Sequence, residues 1–187
     1  MRREQLEHAI RAACQIIGHT EVIIVGSQSI LGTYDESDLP HAATVSREVD
    51  VLPIAGDNQE TARLADAIEG AAGEFSPFEE LHGFSIDGVD LETSALPTGW
   101  RDRLVKVQNA NTAGPGGALV FTGWCLDKED LCVAKLCAFR DKDRDFVGAL
   151  IHADLVAPHV IAERLLSVPF RYSSAARQAA DWLQSWT

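Results

Sequence analysis

A short β-branched run that ends in Gly-Ser, followed later by a stretch of alternating acids, constrains this 187-residue chain more than any other feature. The run Glu21-Val22-Ile23-Ile24-Val25 stops at Gly26-Ser27, which is typical of a buried strand that turns into the start of a helix. Further along, Glu48-Val49-Asp50-Val51 alternates acidic and apolar residues, so a strand there would place both acids on one face. The two segments predict an α/β fold in which a glycine turn lies near paired carboxylates.

The rest of the chain predicts helices around these strands. A second Asp-Gly signal, Asp87-Gly88, divides the apolar stretches 84–86 and 89–93 and predicts a hairpin. A further strand is expected from Ala118 to Trp124. Apolar residues recur at helical spacing in six segments, at 4–17, 58–72, 127–139, 143–153, 157–166 and 173–186. We therefore expect one compact unit, with a small mixed sheet and flanking helices over 1–125 and a helical C-terminal part over 126–187 packed on it.

Composition narrows the functions to consider. Hydrophobic residues make up 46% and charged residues 24% of the chain, as in ordinary globular proteins. A formal net charge of −12 weighs against broad, sequence-independent binding of nucleic acid. The sequence has no apolar run long enough to cross a bilayer and no signal sequence, so we expect a cytoplasmic protein without a membrane partner. The four cysteines lack metal-ligand spacing and are expected to be free thiols.

The acids and the glycine turn together suggest phosphate chemistry. Carboxylates on one strand face are hard oxygen ligands of the kind that Mg²⁺ or Mn²⁺ prefers. Asp90, on the second predicted hairpin strand, is the expected third acid, with Glu92 on the same face as an alternative. Gly26 would let a phosphate approach the backbone, and the amide and hydroxyl groups at Ser27 would donate to its oxygens. Because metals held in this way stabilise the entering and leaving oxygens of a displacement at phosphorus, the pattern predicts transfer of a nucleotidyl group from an NTP.

This combination resembles the nucleotidyltransferase superfamily, whose mark is a Gly-Ser, then a strand with two alternating acids, and later a third acid. A later segment is similar to the one that follows the core in the AbiEii-like and DUF6036-like relatives of toxin–antitoxin and abortive-infection systems; it includes Lys135-Leu136, Ala138, Arg140, Lys142 and Asp145. The resemblance implies catalytic and metal-binding roles for Glu48, Asp50 and Asp90. It implies nucleotide-binding roles for Gly26, Ser27, Lys135, Lys142 and Asp145.

The same resemblance implies tRNA or a protein as the acceptor, and an antitoxin-like protein as a partner. The acidic net charge favours a small or protein acceptor, whereas a local patch of Arg101, Arg103 and Lys106 would serve a tRNA. Two departures from the family pattern support an alternative: Glu48 stands where aspartate is commoner, and the segment 28–47 is long. On that reading the chain is a non-catalytic module that binds a nucleotide or a partner at a degenerate site. Trp182 and Trp186 are expected to pack into the body of the protein.

Overall fold

A five-stranded mixed sheet lies at the centre of the computed structural model, which describes residues 1–117 and 119–186. In chain order the strands are β1 (Glu21–Ile24), β2 (Glu48–Pro53), β3 (Ser85–Gly88), β4 (Val105–Val107) and β5 (Thr122–Cys125). They lie side by side in the order β3-β2-β1-β5-β4. β1 is antiparallel to β2 and parallel to β5, β2 is parallel to β3, and β4 is antiparallel to β5. The prediction of an α/β fold with a mixed sheet is confirmed.

Eight α-helices surround this sheet in the part of the chain that the structure describes. They are α1 (Arg3–Ile17), α2 (His41–Thr44), α3 (Asn58–Ala72), α4 (Pro77–His82), α5 (Lys128–Ala138), α6 (Asp141–His152), α7 (Pro158–Leu165) and α8 (Ser173–Leu183). The six predicted helices are confirmed to within a few residues, and only α2 and α4 escaped prediction. The helix expected at Ser27 is a 3-10 helix, Ser27–Gly32. None of the described helices combines the length and apolarity needed to cross a bilayer.

The two faces of the sheet have different neighbours. Ile10 of α1 lies against Gly123 of β5, and the backbone of Ala65 in α3 lies against Gly88 of β3, so α1 and α3 cover one face. Val49 and the other apolar residues of β2 that alternate with its acids are fully buried. Glu48 and Asp50 point to the opposite face, since successive side chains of a strand alternate. One hydrophobic cluster continues from the sheet into the C-terminal helices α5 to α8.

The predicted Asp-Gly hairpin is wrong. Asp87 and Gly88 lie inside β3, which pairs in parallel with β2, and the amide of Val89 still donates to the carbonyl of Val51 at 2.9 Å. Gly88 serves close packing instead of a turn, because a β-carbon there would overlap the carbonyl oxygen of Ala65 in α3. The residues at 89–93, predicted as the second hairpin strand, lie outside the sheet.

The strand predicted from Ala118 to Trp124 is shorter and later than expected. β5 runs from Thr122 to Cys125, and the position of Ala118 lies outside the described residues. β5 leads directly into α5, with the side chain of Asp127 accepting a hydrogen bond from the amide of Glu129 at the start of the helix. This connection positions α5 beside the end of β1.

Candidate active site

The register between β2 and β3 brings three carboxylates together. Asp50 lies directly beside Asp87, and Glu48 lies two residues earlier on the same face of β2. The charge of Glu48 acts on both aspartates and raises the pKa of each. The sheet therefore gathers Glu48, Asp50 and Asp87 into one acidic cluster on two neighbouring parallel strands.

The glycine of the Gly-Ser turn is in contact with this cluster. The amide of Val25 donates to the carbonyl of Asp50 at 3.1 Å, which holds the end of β1 against β2. A β-carbon added at Gly26 would overlap the carboxylate of Asp50. Glycine is thus required here first of all because the Asp50 carboxylate occupies the space that a side chain would need. The prediction had given a different reason, the close approach of a phosphate to the backbone.

A second link ties the Gly-Ser turn to the first acid. The Gln28 side chain is fully buried and donates from Nε2 to the carbonyl of Ser46 at 3.3 Å. The Ser46 hydroxyl in turn accepts a hydrogen bond from the amide of Glu48, also at 3.3 Å. Ser27, between Gly26 and Gln28, begins the 3-10 helix and is half-buried. The turn and the start of β2 are therefore held as one unit.

Burial and mutual repulsion change the protonation of the acidic cluster. Burial, reinforced by the charge of Glu48, raises the pKa of Asp50 to about 6, although the charge of Lys135 opposes the shift. Burial and the charge of Glu48 likewise raise the pKa of Asp87 to about 7. One oxygen of Asp87, Oδ1, is buried without a hydrogen-bond partner in the described part of the chain. Three crowded carboxylates with an unsatisfied oxygen have the charge and the donor type that suit a hard divalent cation.

The positions of these side chains do not by themselves form a complete ligand set. Within residues 1–117 and 119–186, no group of three or more His, Cys, Asp and Glu side chains is arranged to hold a metal ion. The backbone register fixes which acids share the face, whereas a change in the rotamer of the exposed Glu48 side chain needs no backbone movement.

Asp90, the predicted third acid, is placed differently from the expectation. It lies in the turn after β3, where its Oδ1 accepts hydrogen bonds from the amide of Glu92 at 2.8 Å and the hydroxyl of Thr93 at 3.0 Å. Its side chain thus stabilises a turn, an ordinary use of aspartate. Glu92 lies in the same turn and is exposed. The structure brings Asp87, not Asp90 or Glu92, to Glu48 and Asp50.

A cleft beside the acidic cluster is walled by one face of α5. The cleft has a volume of about 270 Å³. From α5 it is lined by residues at helical spacing, namely Leu131, Ala134, Lys135 and Ala138. Gly26 and Asp50 form the opposite wall, and the loop residues Thr93 and Ser94 close one side. Lys135 is therefore the basic group that α5 presents to the acids, as its effect on the pKa of Asp50 also indicates.

A buried aspartate holds the basic side of the cleft together. Asp143, near the start of α6, is fully buried and forms an ion pair with Lys135 at 3.4 Å. It also accepts hydrogen bonds from Arg140, from Nε at 2.6 Å and from Nη2 at 3.2 Å. Burial alone would raise the pKa of Asp143, but the hydrogen bond from Arg140 and the charges of both bases bring it below the ordinary value. We call Lys135, Arg140 and Asp143 the basic corner.

The backbone explains how Arg140 reaches the cleft. Phe139 ends α5 in a left-handed conformation, with φ of 56°, and its amide donates to the carbonyl of Lys135 at 3.0 Å. The chain reverses there, so that Arg140 precedes α6 and lines the same cleft as Lys135. Lys142 and Asp145, which the resemblance implied as nucleotide-binding residues, are exposed on α6, and Asp145 lines a different cavity.

The fold and the candidate site together are typical of one class of protein. A small mixed sheet with strand-borne acids beside a glycine turn, faced by a lysine from the next helix, is the arrangement expected of a nucleotidyltransferase. The family model described as "Nucleotidyltransferase of unknown function (DUF6036)" matches residues 4–178, and the chain belongs to that family. Neither the curated proteins nor the solved structures gave a match. Relation to the AbiEii-like proteins stays a prediction.

The sequence predicted no site role for Asp87, Arg140 and Asp143, although Arg140 and Asp143 lie within the segment on which the family resemblance rests. The Asp-Gly turn signal concealed Asp87. Its position nevertheless follows the pattern of Asp50, because each aspartate comes directly after a buried apolar residue, Ile86 in one strand and Val49 in the other. The mixed-charge run at 140–145 resembled a solvated helix start. The signal in that run was the spacing of Arg140 and Asp143, which fits a capping pair at the start of a helix.

Proposed function

We propose that this protein is a metal-dependent nucleotidyltransferase that moves a nucleotide from an NTP to an acceptor. The observation that carries the proposal is the pairing of Asp50 with Asp87 on parallel strands, where Asp50 lines a cleft together with Lys135 and Arg140. Negative groups for a cation and positive groups for phosphates thus lie on opposite sides of one space. The family match supports the reaction class.

In this proposal Glu48, Asp50 and Asp87 hold Mg²⁺ or Mn²⁺. When bound, the cation would neutralise negative charge on the triphosphate and stabilise the entering and leaving oxygens. The attacking hydroxyl of the acceptor forms a bond to the α-phosphorus, the bond from that phosphorus to the bridging oxygen breaks, and pyrophosphate leaves. The proton of the hydroxyl passes to a carboxylate of the acidic cluster.

The basic corner would serve the phosphates. Lys135 and Arg140 are positioned to balance the charge that grows on the leaving pyrophosphate, and the buried Asp143 holds both of them in place. Gly26 lines the cleft, and the hydroxyl and amide of Ser27, the next residue, would donate to phosphate oxygens. Preorganised positive groups of this type act on the transition state without further rearrangement.

We further propose tRNA or a protein as the acceptor, and an antitoxin-like protein as a regulator. The patch expected to serve a tRNA is smaller than the sequence suggested, because Arg103 is engaged by the buried Asp130 through hydrogen bonds of 2.8 and 3.0 Å. Arg101 lies over the ring of Trp100 at 4.7 Å, and Lys106 lies over that of Trp124 at 5.9 Å. These two cations remain exposed for a nucleic acid.

The decisive experiment follows the nucleotide. The purified protein is incubated with each of the four α-labelled NTPs, with Mg²⁺ or Mn²⁺, and with a cell extract as the source of acceptor. We expect label on an RNA or protein fraction, and none when the same NTP carries the label on the γ-phosphate. Replacing Asp50 by asparagine preserves its shape and should lower the rate by about 100-fold or more, since a charged ligand is lost.

The matched control is Asp90→Asn, which changes an acid of the same type in the adjacent turn. It should keep the rate within about threefold, whereas Asp87→Asn should behave like Asp50→Asn. Equal losses in the Asp87 and Asp90 variants would contradict the site described above. Absence of transfer from every NTP in both metals would contradict the enzyme itself.

One observation favours a second candidate, a nucleotide-binding module without turnover. The first acid is Glu48, whose side chain is exposed, and the described residues contain no ready ligand set of three or more metal-binding side chains. This module would bind an NTP in the presence of metal, and Asp50→Asn would weaken the binding. It would transfer no label to any fraction, which separates it from the enzyme.

A further inference from the structure

Two large apolar side chains are almost fully exposed on the short connection between α7 and α8. Leu166 is 87% exposed and Phe170 is 91% exposed. A single exposed apolar side chain is common on protein surfaces and needs no explanation. Two large ones on one connection leave more apolar surface in water, and such surface is typical of interaction sites.

Hydrogen bonds fix this connection to the loop that closes one side of the cleft. The hydroxyl of Tyr172 donates to the carbonyl of Glu92 at 3.0 Å. The amide of Thr98 donates to the carbonyl of Ser167 at 3.1 Å. Ser94, two residues after Glu92, lines the cleft beside the acidic cluster. The exposed apolar side chains therefore belong to a segment that is attached to the border of the cleft.

The loop adds an apolar side chain of its own. Leu91, which directly precedes Glu92, is exposed. We call Leu91, Leu166 and Phe170 the rim patch. Since the Tyr172–Glu92 hydrogen bond joins the two segments that carry these residues, a partner that covers the patch would also lie beside the cleft.

The charges around the rim patch favour a polypeptide over a nucleic acid. Glu92 on the loop and Glu163 on α7 are both exposed. Arg164 is engaged by the buried Asp130 at 3.0 Å, which leaves Arg171 as the exposed base of the connection. Two exposed acids against one base would repel a phosphate backbone. A polypeptide could instead cover the patch with apolar side chains and leave these charges in water at the edge of the interface.

We propose that the rim patch docks a polypeptide, and that the acceptor of the nucleotide is a protein bound there. The docking stands on the exposed patch, whereas the role of acceptor rests on the proposed function. A hydroxyl side chain of the docked segment would enter the cleft past Ser94, and its oxygen would bond to the α-phosphorus of the NTP. The bond from that phosphorus to the bridging oxygen breaks, pyrophosphate leaves, and the hydroxyl proton passes to the acidic cluster.

The docking is tested without the transfer reaction. A display library of random dodecapeptides and a pool of random oligoribonucleotides are each selected on the full chain, and affinities are then measured by fluorescence anisotropy. We expect enrichment of peptides with apolar and aromatic side chains. The double variant Leu166→Ser/Phe170→Ser should bind them about tenfold more weakly. Both replaced side chains are exposed, so the fold should persist, and urea denaturation checks this.

The matched control is the double variant Phe75→Ser/Leu81→Ser. Phe75, which is 90% exposed, lies just before α4, and the exposed Leu81 lies on it, so the same two kinds of side chain are removed elsewhere. The control should bind the selected peptides as the unchanged protein does. Equal binding by both double variants, oligoribonucleotides that bind through the rim patch, or enrichment of neither library would each overturn the proposal. Dimers of the unchanged protein that the rim variant abolishes in analytical ultracentrifugation would overturn it in favour of a second copy.

The role of acceptor is tested by the fate of the label. After transfer from an α-labelled NTP in a cell extract, the product is treated with ribonuclease or with protease. We expect the label to resist ribonuclease and to be released from large products by protease. The rim variant should transfer about tenfold less label to protein, while its affinity for the NTP stays within about twofold by calorimetry.

The results distinguish this inference from the proposed function. Label that is sensitive to ribonuclease would overturn the protein acceptor and leave nucleotidyl transfer standing. Equal losses of transfer in the rim variant and its matched control would also overturn the protein acceptor at this patch. Peptide binding that depends on the rim patch, with no transfer from any NTP, would overturn the transferase and leave the docking surface standing.

Discussion

The two sides of the cleft between the acidic cluster and the basic corner handle charge in opposite ways. On the sheet side, like charges are crowded: burial and the neighbouring Glu48 raise the pKa of Asp50 to about 6. On the helix side, Lys135 and Arg140 share the buried Asp143, whose pKa falls below its ordinary value as a net result. The acidic cluster lacks a counter-charge of its own, whereas the two bases of the basic corner share the counter-charge of Asp143. We therefore expect the cluster, more than the corner, to change when a cation or a nucleotide binds.

The largest expected effect comes from the sheet side of the cleft, where Gly26 and Asp50 are in contact. Gly26→Ala would place a methyl group in the space that the Asp50 carboxylate occupies, so this side chain must turn away. We expect transfer activity to fall by about 100-fold, because a ligand of the cation is displaced. The free energy of unfolding should fall by about 1–3 kcal/mol through overpacking, as measured by urea denaturation.

A double variant separates the two consequences. The double variant Gly26→Ala/Asp50→Ala lacks the carboxylate, so the added methyl group no longer overlaps it. The stability lost in Gly26→Ala should therefore largely return, whereas the transfer activity stays absent. If instead the double variant is destabilised by the sum of the two single changes, then the residues do not share this space.

The next effect tests whether the basic corner depends on its buried acid. Asp143→Asn leaves Lys135 and Arg140 without a shared counter-charge, and we expect the free energy of unfolding to fall by about 2–3 kcal/mol. The KM for NTP should rise by about tenfold, because both bases lose their positions. Urea denaturation and steady-state kinetics measure the two effects.

Asp141→Asn is the matched control for this variant. Asp141 lies two residues earlier with a side chain that is 92% exposed, although it pairs with Arg144. An exposed pair of this type contributes little, so stability should change by less than about 1 kcal/mol. A control that is as destabilised as Asp143→Asn would show that the helix start, not the corner, is what matters.

A smaller effect is expected from pH, with opposite signs on the two sides. Asp50 has a raised pKa in the folded chain, so its contribution to stability is fully present below its ordinary pKa of 3.8 and is lost as pH rises through about 6. Asp143 has a lowered pKa, so its contribution is present above 3.8 and is lost as pH falls below that value.

In the presence of a chelator, the stability of the unchanged protein relative to Asp50→Asn should therefore fall by about 1–2 kcal/mol between pH 4 and pH 7. Its stability relative to Asp143→Asn should instead fall towards acid pH. Urea midpoints measured across this range check both slopes. Parallel slopes for the two variants would contradict the opposed roles of the two sides.

The smallest effect is expected from a lysine that the sequence pattern favoured. Lys142 is exposed on α6, whereas Lys135 lies in the cleft and pairs with Asp143. Lys142→Met should leave the transfer rate within about twofold, while Lys135→Met should lower it by about 100-fold. If the two variants lose activity equally, the basic corner extends beyond the residues that define it.

Local patterns predicted most of the fold. The alternation in β2 and the helical spacing in α3 and α5 each reflect a face that must be buried, and such faces are visible in the sequence itself. The hairpin prediction failed because Asp87-Gly88, taken in isolation, is a turn signal. The actual reason for glycine at position 88 is the close approach of α3. That cause lies about 20 residues away in sequence and leaves no local trace.

The site was predicted to the extent that its residues shared one strand or one turn. Glu48, Asp50, Gly26 and Lys135 are brought together as expected, because their own segments fix their directions. The placement of Asp87 could not be predicted from its own segment, because it depends on the register between two parallel strands, which neither strand encodes locally. The placement of Asp143 could not be predicted either, because its contact with Lys135 depends on the reversal of the chain at Phe139, between α5 and α6.

The contact between Gly26 and Asp50 has a use beyond this molecule. Any related sequence with a side chain at the glycine position has no room for the acid in the place seen here, so the two positions should vary together across genomes. Sequences that keep both are candidates for working enzymes, and those that have lost both are candidates for binding proteins descended from them. One pair of columns in an alignment would thus sort the members of the family into these two groups.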